Sequence, residues 1–451
     1  MVHTYQMNGY SIAVDGNSGA IHLLNDLGYA ILSENPEAKS VKELKVLCKN
    51  KYSSEEAGET FQELEELEKD GLLFSDDSYL YQLPENRNKT LKSICLHVAH
   101  DCNLRCEYCF ASKGDYHTGR QLMSKETACK AVDFLIRNSG SIKNVEIDFF
   151  GGEPLLNFNV VKQTAEYARS IQEKFHKNFY FTITTNGMLL DDEKIRFINE
   201  YMDNVVISID GRKEVHDAIR YDRAGNGTYD IIVPKAQKLI NERNGKSYFI
   251  RGTYTARNLD FANDVRHLAS LGFKEISVEP VVGEGRSFDI TEKDVPAILK
   301  EYERFAVEYI DRAAHHDYRF YHFSLDLYGG PCIYKRISAC GAGNEYLAIS
   351  PTGDIYPCHQ FVGQPEFKIG DLNSGVTRKD IAMQFGSNNI LHKEKCKNCW
   401  VKLFCSGGCH ANAWFTNGDI SVPNDIACTL QKKRIECAIM IQGALQDRIN
   451  S

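Results

Sequence analysis

At 451 residues the chain exceeds what one compact core usually holds, so two or three folding units are expected. With 43% hydrophobic and 25% charged residues it has the composition of an ordinary globular protein, and no apolar run approaches bilayer length, so no membrane contact is expected. The net charge of −8 argues against nucleic acid as a partner, because a sequence-independent grip on phosphate needs a basic surface.

The chain opens on polar and aromatic residues rather than a basic patch followed by an apolar run, which predicts a cytoplasmic location. Residues 11–14 and 20–24 flank Asp15-Gly16-Asn17-Ser18-Gly19, the pattern of a β-hairpin. Ser40-Val41-Lys42-Glu43 and Ser53-Ser54-Glu55-Glu56 have capping-box spacing and predict two helices. In the second, Phe61, Leu64 and Leu67 share a face, and Gly71 can supply the left-handed turn that ends it. Apolar residues 72–74 predict a closing strand, and polar residues 84–92 a linker. Together these elements resemble a small winged-helix unit over residues 1–88.

Beyond it, β-rich runs at 94–98, 145–150, 179–184, 205–209, 248–253 and 276–278 alternate with helical patterns at 125–138, 160–174, 191–201, 230–242 and 261–271. That is the period of βα units with right-handed crossovers, and it predicts an α/β fold, a partial (β/α)6 barrel of TIM type, over residues 89–315. Sites on such sheets gather at the C-terminal strand ends. There lie Cys102, Gly151-Gly152-Glu153-Pro154, Thr185-Asn186-Gly187, and Ser208 with Asp210. A long helix at 292–314 leads into a third unit, 316–451, closed by a helix at 429–447.

Fifteen cysteines are too many for a reduced cytosolic chain unless they bind metal. Cys102, Cys106 and Cys109 have the spacing of a loop that holds a cubane iron-sulfur cluster through three irons and leaves the fourth open; a three-cysteine zinc site is the alternative. The C-terminal set Cys340, Cys358, Cys396, Cys399, Cys405, Cys409 and Cys428 also contains a C-x2-C pair of the kind zinc ribbons use.

The C-x3-C-x-aromatic-C loop resembles that of the radical S-adenosylmethionine enzymes, in which the open iron chelates the cofactor and its reduction gives a 5′-deoxyadenosyl radical. Gly151-Gly152-Glu153-Pro154 is similar to the GGEP loop of that family, and Ser208-x-Asp210-Gly211 with His216-Asp217 and Arg220 to a subfamily stretch. The resemblance implies that backbone groups of the Gly151-Gly152-Glu153 loop approach the methionine ammonium, that Ser208 and Arg220 suit the carboxylate and ribose region, and that Asp210 is a further cofactor-binding residue. It places Tyr108 and Phe110 at the adenine, and Thr185 and Asn186 on the next strand's polar end. The C-terminal cysteines resemble a SPASM extension, which assigns Cys340, Cys358 and Cys409 to a first auxiliary 4Fe-4S cluster and Cys396, Cys399, Cys405 and Cys428 to a second. The first is one ligand short, so an iron open to a substrate thiolate is expected, with Cys332 the rival ligand. Cys48, Cys95, Cys129, Cys332 and Cys437 remain, residues that most often are small buried hydrophobes.

With Asn8-Gly9-Tyr10 and the hairpin loop added, the chain resembles the maturases of SCIFF peptides, small cysteine-rich ribosomal precursors. That resemblance implies a leader peptide bound by the N-terminal unit and a radical formed at an acceptor α-carbon. A Cys sulfur to α-carbon thioether (sactionine) cross-link then closes, and an electron donor such as ferredoxin or flavodoxin is implied. Glu279 and Asp289 near the last strand are candidate general bases. The alternatives are a SPASM enzyme that oxidises a protein side chain, as sulfatase maturases do, and a zinc-bearing peptide-binding adaptor.

Overall fold

The computed structural model describes residues 1–450 apart from 50, 53, 84–89, 284, 328–330 and 339. The predicted Ser53 cap and most of the predicted linker therefore lie outside the described residues.

The chain begins with an antiparallel sheet of β1 (Val2–Met7), β2 (Tyr10–Asp15) and β3 (Ile21–Leu23), in that order. Asn8 and Gly9 turn β1 into β2 with φ of 51° and 80°, the positive pair that a two-residue hairpin requires. Helices α1 (Asp26–Ser33), α2 (Val41–Leu47), α3 (Ser54–Lys69) and α4 (Ser78–Tyr81) follow. Ser40 Oγ accepts from the Glu43 amide at 3.2 Å, while the Glu43 carboxylate reaches back one residue further than a capping box does, to the Lys39 amide. Gly71 ends α3 at φ 70°, as expected, but residues 72–74 form no strand. Leu73 is buried against Ile31, Leu44 and Leu64, and Phe74 at φ 50° bends the chain away from an extended path. The run is apolar because it plugs a small core.

The centre is a sheet of β4 (Ser93–His100), β5 (Gln121–Leu122), β6 (Asn144–Gly151), β7 (Asn178–Thr185), β8 (Asn204–Ser208), β9 (Ser247–Tyr254), β10 (Glu275–Pro280) and β11 (Arg319–Phe320). Helices α5 (Lys125–Asn138), α6 (Phe158–Ile171), α7 (Asp192–Tyr201), α8 (Lys213–Ile219), α9 (Tyr229–Asn241), α10 (Phe261–Ser270) and α11 (Val295–Ala314) alternate with the strands. β4 and β6 to β10 lie parallel in chain order, which is the predicted succession of six βα units. Their outward residues, among them Ile94, Ile147, Phe181 and Ile207, are fully buried against the helices. The sheet does not close. Beyond β4 it continues into β12 (Tyr346–Ile349), β13 (Asp354–Tyr356), β14 (Gly370–Asp371) and β15 (Gly375–Val376).

The cysteine-rich end adds α12 (Ile333–Ile337), α13 (Lys379–Ser387), α14 (Glu394–Lys397), α15 (Lys402–Cys405), α16 (His410–Asn417) and the closing α17 (Asp425–Asn450). The N-terminal sheet is docked on this end. Tyr5 donates to the Glu436 carbonyl and Tyr10 to Asp447, both at 2.9 Å, and His3 stacks on Trp400 at 4.0 Å. Gly16 lies so close that a Cβ would sit 2.7 Å from the Trp400 Cα. No helix among the described residues is long and apolar enough to cross a membrane.

Candidate functional site

The loop after β4 carries Cys102, Cys106 and Cys109, and short antiparallel bonding to the segment after α8 fixes its path. The Arg105 amide donates to Tyr221 O at 2.8 Å and the Glu107 amide to Ile219 O at 3.1 Å. Arg105 and Arg223 both donate to the Cys102 carbonyl, at 2.7 Å each, and Asp101 accepts from the Cys102 amide and from Arg223. Residues 112–117 then turn sharply, with Ser112, Lys113, Gly114, Tyr116 and His117 all at positive φ. This turn aims the amides of Ala111, Lys113 and Gly114 at the Cys109 sulfur, and the Leu104 amide lies 3.4 Å from that of Cys102. Burial pushes the Cys102 thiol up to about 12 and the Cys106 thiol up to about 11. Half-buried cysteines whose sulfurs receive backbone N–H bonds, yet resist ionisation alone, suit thiolates held by iron.

The other predicted residues fall around this loop. Gly151 and Gly152 are required by close approach: a Cβ on either would lie 2.3 Å from the carbonyl oxygen of Ala99 or Asp101. Glu153 is fully buried, and its carboxylate accepts from Thr185 Oγ1 at 2.8 Å, the Asn186 amide at 2.8 Å and the Leu155 amide at 3.0 Å. Burial raises it to about 7. Its work is to tie the β6 and β7 loops together. Asn186 Nδ2 bonds Asn103 at 2.9 Å, which joins both to the cysteine loop.

Opposite, Asp210 accepts from the Tyr108 hydroxyl at 2.8 and 2.9 Å and from Arg220 Nε at 3.1 Å, and the Arg220 guanidinium lies over the Tyr108 ring. His216 Nδ1 accepts from the Asp210 amide, so its Nε2–H points to Thr228, whose hydroxyl donates to Arg220 O. Ser208 ends β8, half-buried, on the side that β9 continues with Arg251. Phe110, 40% exposed, faces Tyr116 and His359 rather than the Asp210 side.

The two predicted C-terminal cysteine sets are spatial groups. Cys340 and Cys409 are exposed and Cys358 is half-buried; desolvation of the sulfurs pushes Cys340 and Cys358 up, and Cys409 beside them adds to both. Cys396, Cys405 and Cys428 are each raised to about 11 by burial and then by one another or Cys399. Backbone amides again serve sulfur: Ala342 on Cys340, His359 and Gln360 on Cys358, Gly407 and Gly408 on Cys405. Among the described residues no three such side chains are gathered tightly enough for a single metal ion. Of the cysteines left over, Cys48, Cys95 and Cys437 are buried, Cys129 is half-buried and Cys332 is exposed at the start of α12.

Glu279 is clamped between His322 at 3.2 Å and Arg434 at 3.7 Å; burial opposes its charge, but the His322 ring, with Arg434 and Arg251, holds its carboxyl well below the usual range. It is thus an anion and a weak base. Asp289 accepts from the Arg286 amide at 2.7 Å and shapes that turn. Sequence reasoning passed over Asp101, Arg105 and Arg223, which hold the cysteine loop; Arg105 inside the loop was the available signal. It also passed over the inner face of the sheet, where a cavity of about 560 Å³ opens at the N-terminal strand ends and is lined by Glu146, Thr182, Cys340 and Tyr346 among others.

Residues 96–242 match the radical SAM superfamily and residues 340–400 match an iron-sulfur cluster-binding domain, SPASM. The chain is 25% identical to the cysteine-type anaerobic sulfatase-maturating enzyme of Clostridium novyi over 72% of its length and 89% of that protein. Among solved structures it is similar to anSMEcpe with bound AdoMet and Cp18Cys peptide, with a TM-score of 0.65 and 21% identity over 79% of this chain and 99% of the other. It is also similar to Streptococcus suis SuiB bound to precursor peptide SuiA, with a TM-score of 0.53 and 15% identity over 94% of this chain and 98% of the other.

Proposed function

From the premise that this chain belongs to the radical SAM proteins with a SPASM extension, we propose that it installs Cys sulfur to α-carbon thioether cross-links in a ribosomally made, cysteine-rich precursor peptide. S-adenosylmethionine reduced at a 4Fe-4S cluster supplies the hydrogen-abstracting chemistry, and Cys102, Cys106 and Cys109 are the residues to hold that cluster. The Glu153 tie and the Asp210–Arg220–Tyr108 group then keep the flanking loops fixed around the cofactor, with Ser208, Asn186 and Phe110 at its edges. Cys340, Cys358 and Cys409 are assigned to a first auxiliary cluster and Cys396, Cys399, Cys405 and Cys428 to a second, which makes three cubanes in all.

One observation carries the reading toward thioether formation. Cys340 of the three-cysteine set lines the cavity at one end of the inner sheet face whose other end holds the cysteine loop, which supports a peptide sulfur and a radical-bearing carbon meeting between them. Cys340 lines this cavity together with Tyr346 at the start of β12, a side chain that Cys95 and Cys358 both influence. Three thiolates leave one cluster position for a sulfur from the substrate. The bond closure releases an electron, which the auxiliary clusters are suited to accept. SuiB, a structural neighbour, binds a precursor peptide, and β3 here is an edge strand that a leader can extend by backbone pairing. Ferredoxin or flavodoxin is the proposed electron donor, in the cytoplasm.

The sulfatase-maturating relative favours a second reading, oxidation of a side chain without cross-linking. Co-expression with a cysteine-rich precursor and mass spectrometry separate the two. Thioether formation removes two hydrogens per link and leaves the cysteine resistant to alkylation; an oxidised side chain beside a free, alkylatable cysteine would overturn it.

A further inference from the structure

In β9, Ile250 and Gly252 are buried while Arg251 between them is exposed, and strand alternation puts the arginine on the inner face of the sheet. Its guanidinium is a fork of N–H donors with no hydrogen bond or ion pair to any described residue. The other two arginines of this region are spent, Arg220 on Asp210 and Arg434 on Tyr302 and Glu279. The backbone beneath Arg251 is fixed to the loop that carries Asp210. Its carbonyl accepts from the Ile209 amide at 3.1 Å, the Thr253 amide donates to Asp210 at 3.0 Å, and a Cβ at Gly252 would lie 2.8 Å from the Ile209 carbonyl oxygen. Asp210 in turn holds Tyr108 of the cysteine loop. Strand register sets Arg251 between Ser208 on β8 and Ser277 on β10, with Glu279 as its diagonal neighbour.

The two free-standing cations of the inner face divide the space between them. Arg220 acts electrostatically on Cys106 and Cys109, whereas Arg251 acts on Glu279 and His359. His359 follows Cys358, with Nδ1 3.6 Å from its sulfur, and its ring packs on Phe150 of β6 at 5.1 Å. Arg251 is thus a firmly based, unspent cation between the two proposed cluster sites. We propose that Arg251 binds the peptide substrate there, donating its N–H fork to the backbone carbonyl oxygen of the acceptor residue, whose α-carbon loses hydrogen. The inference rests on the thioether reading above. A planar fork of donors suits an oxygen with in-plane lone pairs. The carbonyl is bonded directly to the reacting carbon, so holding it sets where the Cα–H points. Every residue type has that carbonyl, so Arg251 orients the acceptor without choosing its side chain. No bond to Arg251 forms or breaks, and it stays charged throughout.

The test uses the anaerobic holoenzyme and the purified cysteine-rich precursor of the co-expression experiment, and it reads 5′-deoxyadenosine formed per cross-link. In Arg251→Met cross-linking should slow about 100-fold and 5′-deoxyadenosine per link should rise about tenfold, because hydrogen abstraction from the acceptor is misaligned. Arg251→Lys keeps the charge without the fork and should show the same change in smaller measure. Iron and sulfide content verifies that the variants fold, and calorimetry without peptide measures their S-adenosylmethionine affinity. A wild-type ratio of 5′-deoxyadenosine to cross-link in both variants overturns the inference alone. So does a loss of S-adenosylmethionine affinity that matches the loss of cross-linking, which would assign the guanidinium to the cofactor. A wild type that forms no cross-link in the precursor overturns the thioether reading and the inference with it.

Discussion

The ion pair between Lys402 and Asp77 makes the N-terminal unit part of the second proposed auxiliary cysteine site. The Lys402 side chain is 2% exposed, and its ammonium bonds Asp77 at 2.8 Å and the Lys397 carbonyl at 3.1 Å. It sits between Cys399 and Cys405, and Leu80 from α4 packs with Ile337, Cys396 and Leu403 around it. Asp77→Asn leaves that cation buried with one neutral acceptor. Removing one member of a buried pair costs about 3–5 kcal/mol. Asp77 is 29% exposed and Lys397 O remains, so about 2 kcal/mol is expected here, equivalent to roughly 30-fold in a local opening equilibrium. Iron loss to a chelator from the anaerobic protein should therefore quicken by that factor in the slow fraction belonging to the second auxiliary site. The double variant Asp77→Leu with Lys402→Met should recover most of the loss, because it leaves no uncompensated charge. Unchanged iron loss in Asp77→Asn, or a double variant as labile as the single one, would refute the reasoning. The same contacts mean that deleting residues 1–85 would remove core residues Tyr5, Met7, Ile12 and Val14, bare the face of α17 they cover, and disturb this site as well as any leader contact.

Glu153→Gln should turn one of three accepted hydrogen bonds into a donor facing a donor, at a cost of about 1–3 kcal/mol; calorimetry should show S-adenosylmethionine affinity and unfolding temperature falling together. A raised carboxyl pKa means that the folded state holds its proton more tightly, so wild-type stability falls as pH rises from 3.8 to about 7 at Asp148 and is flat above. Asp148→Asn should accordingly be more stable than wild type at pH 8, by about 2 kcal/mol after allowance for partial exposure. In urea titrations the gain should vanish below pH 4. Leu23→Pro removes an amide that the antiparallel alternation directs away from β2, so leader peptide affinity should fall at least tenfold with unfolding temperature little changed.

The six central strands and their helices were legible because each repeats one local pattern, an apolar run followed by an amphipathic helix, and the predicted bounds fall within a few residues of the observed ones. β1 was not legible. Its sequence, VHTYQM, alternates weakly because its half-buried residues are covered by α17 from the other end of the chain. The extension β12 to β15 escaped for the same reason: β12 pairs with β4 across some 250 residues of sequence, a contact no local pattern records. α1 is short, and its start is marked only by Asn25, whose side chain accepts from the Gly28 amide.

At the site, residue types were readable and their duties were not. Glu153 and Asp210 are in the predicted places, yet both carboxylates are spent on neighbouring loops and Arg220, which only tertiary structure could reveal. The alternation Glu146, Asp148, Phe150 against Val145, Ile147, Phe149 is plain in the sequence. Which of the two faces lines the cavity depends on the helices that cover the other.

The central claim is that Cys102, Cys106 and Cys109 present an iron at which S-adenosylmethionine is reductively cleaved. Anaerobically reconstituted protein given dithionite and S-adenosylmethionine should form 5′-deoxyadenosine, and Cys106→Ala should form none. No 5′-deoxyadenosine from the wild type, or an undiminished yield from Cys106→Ala, would contradict the account.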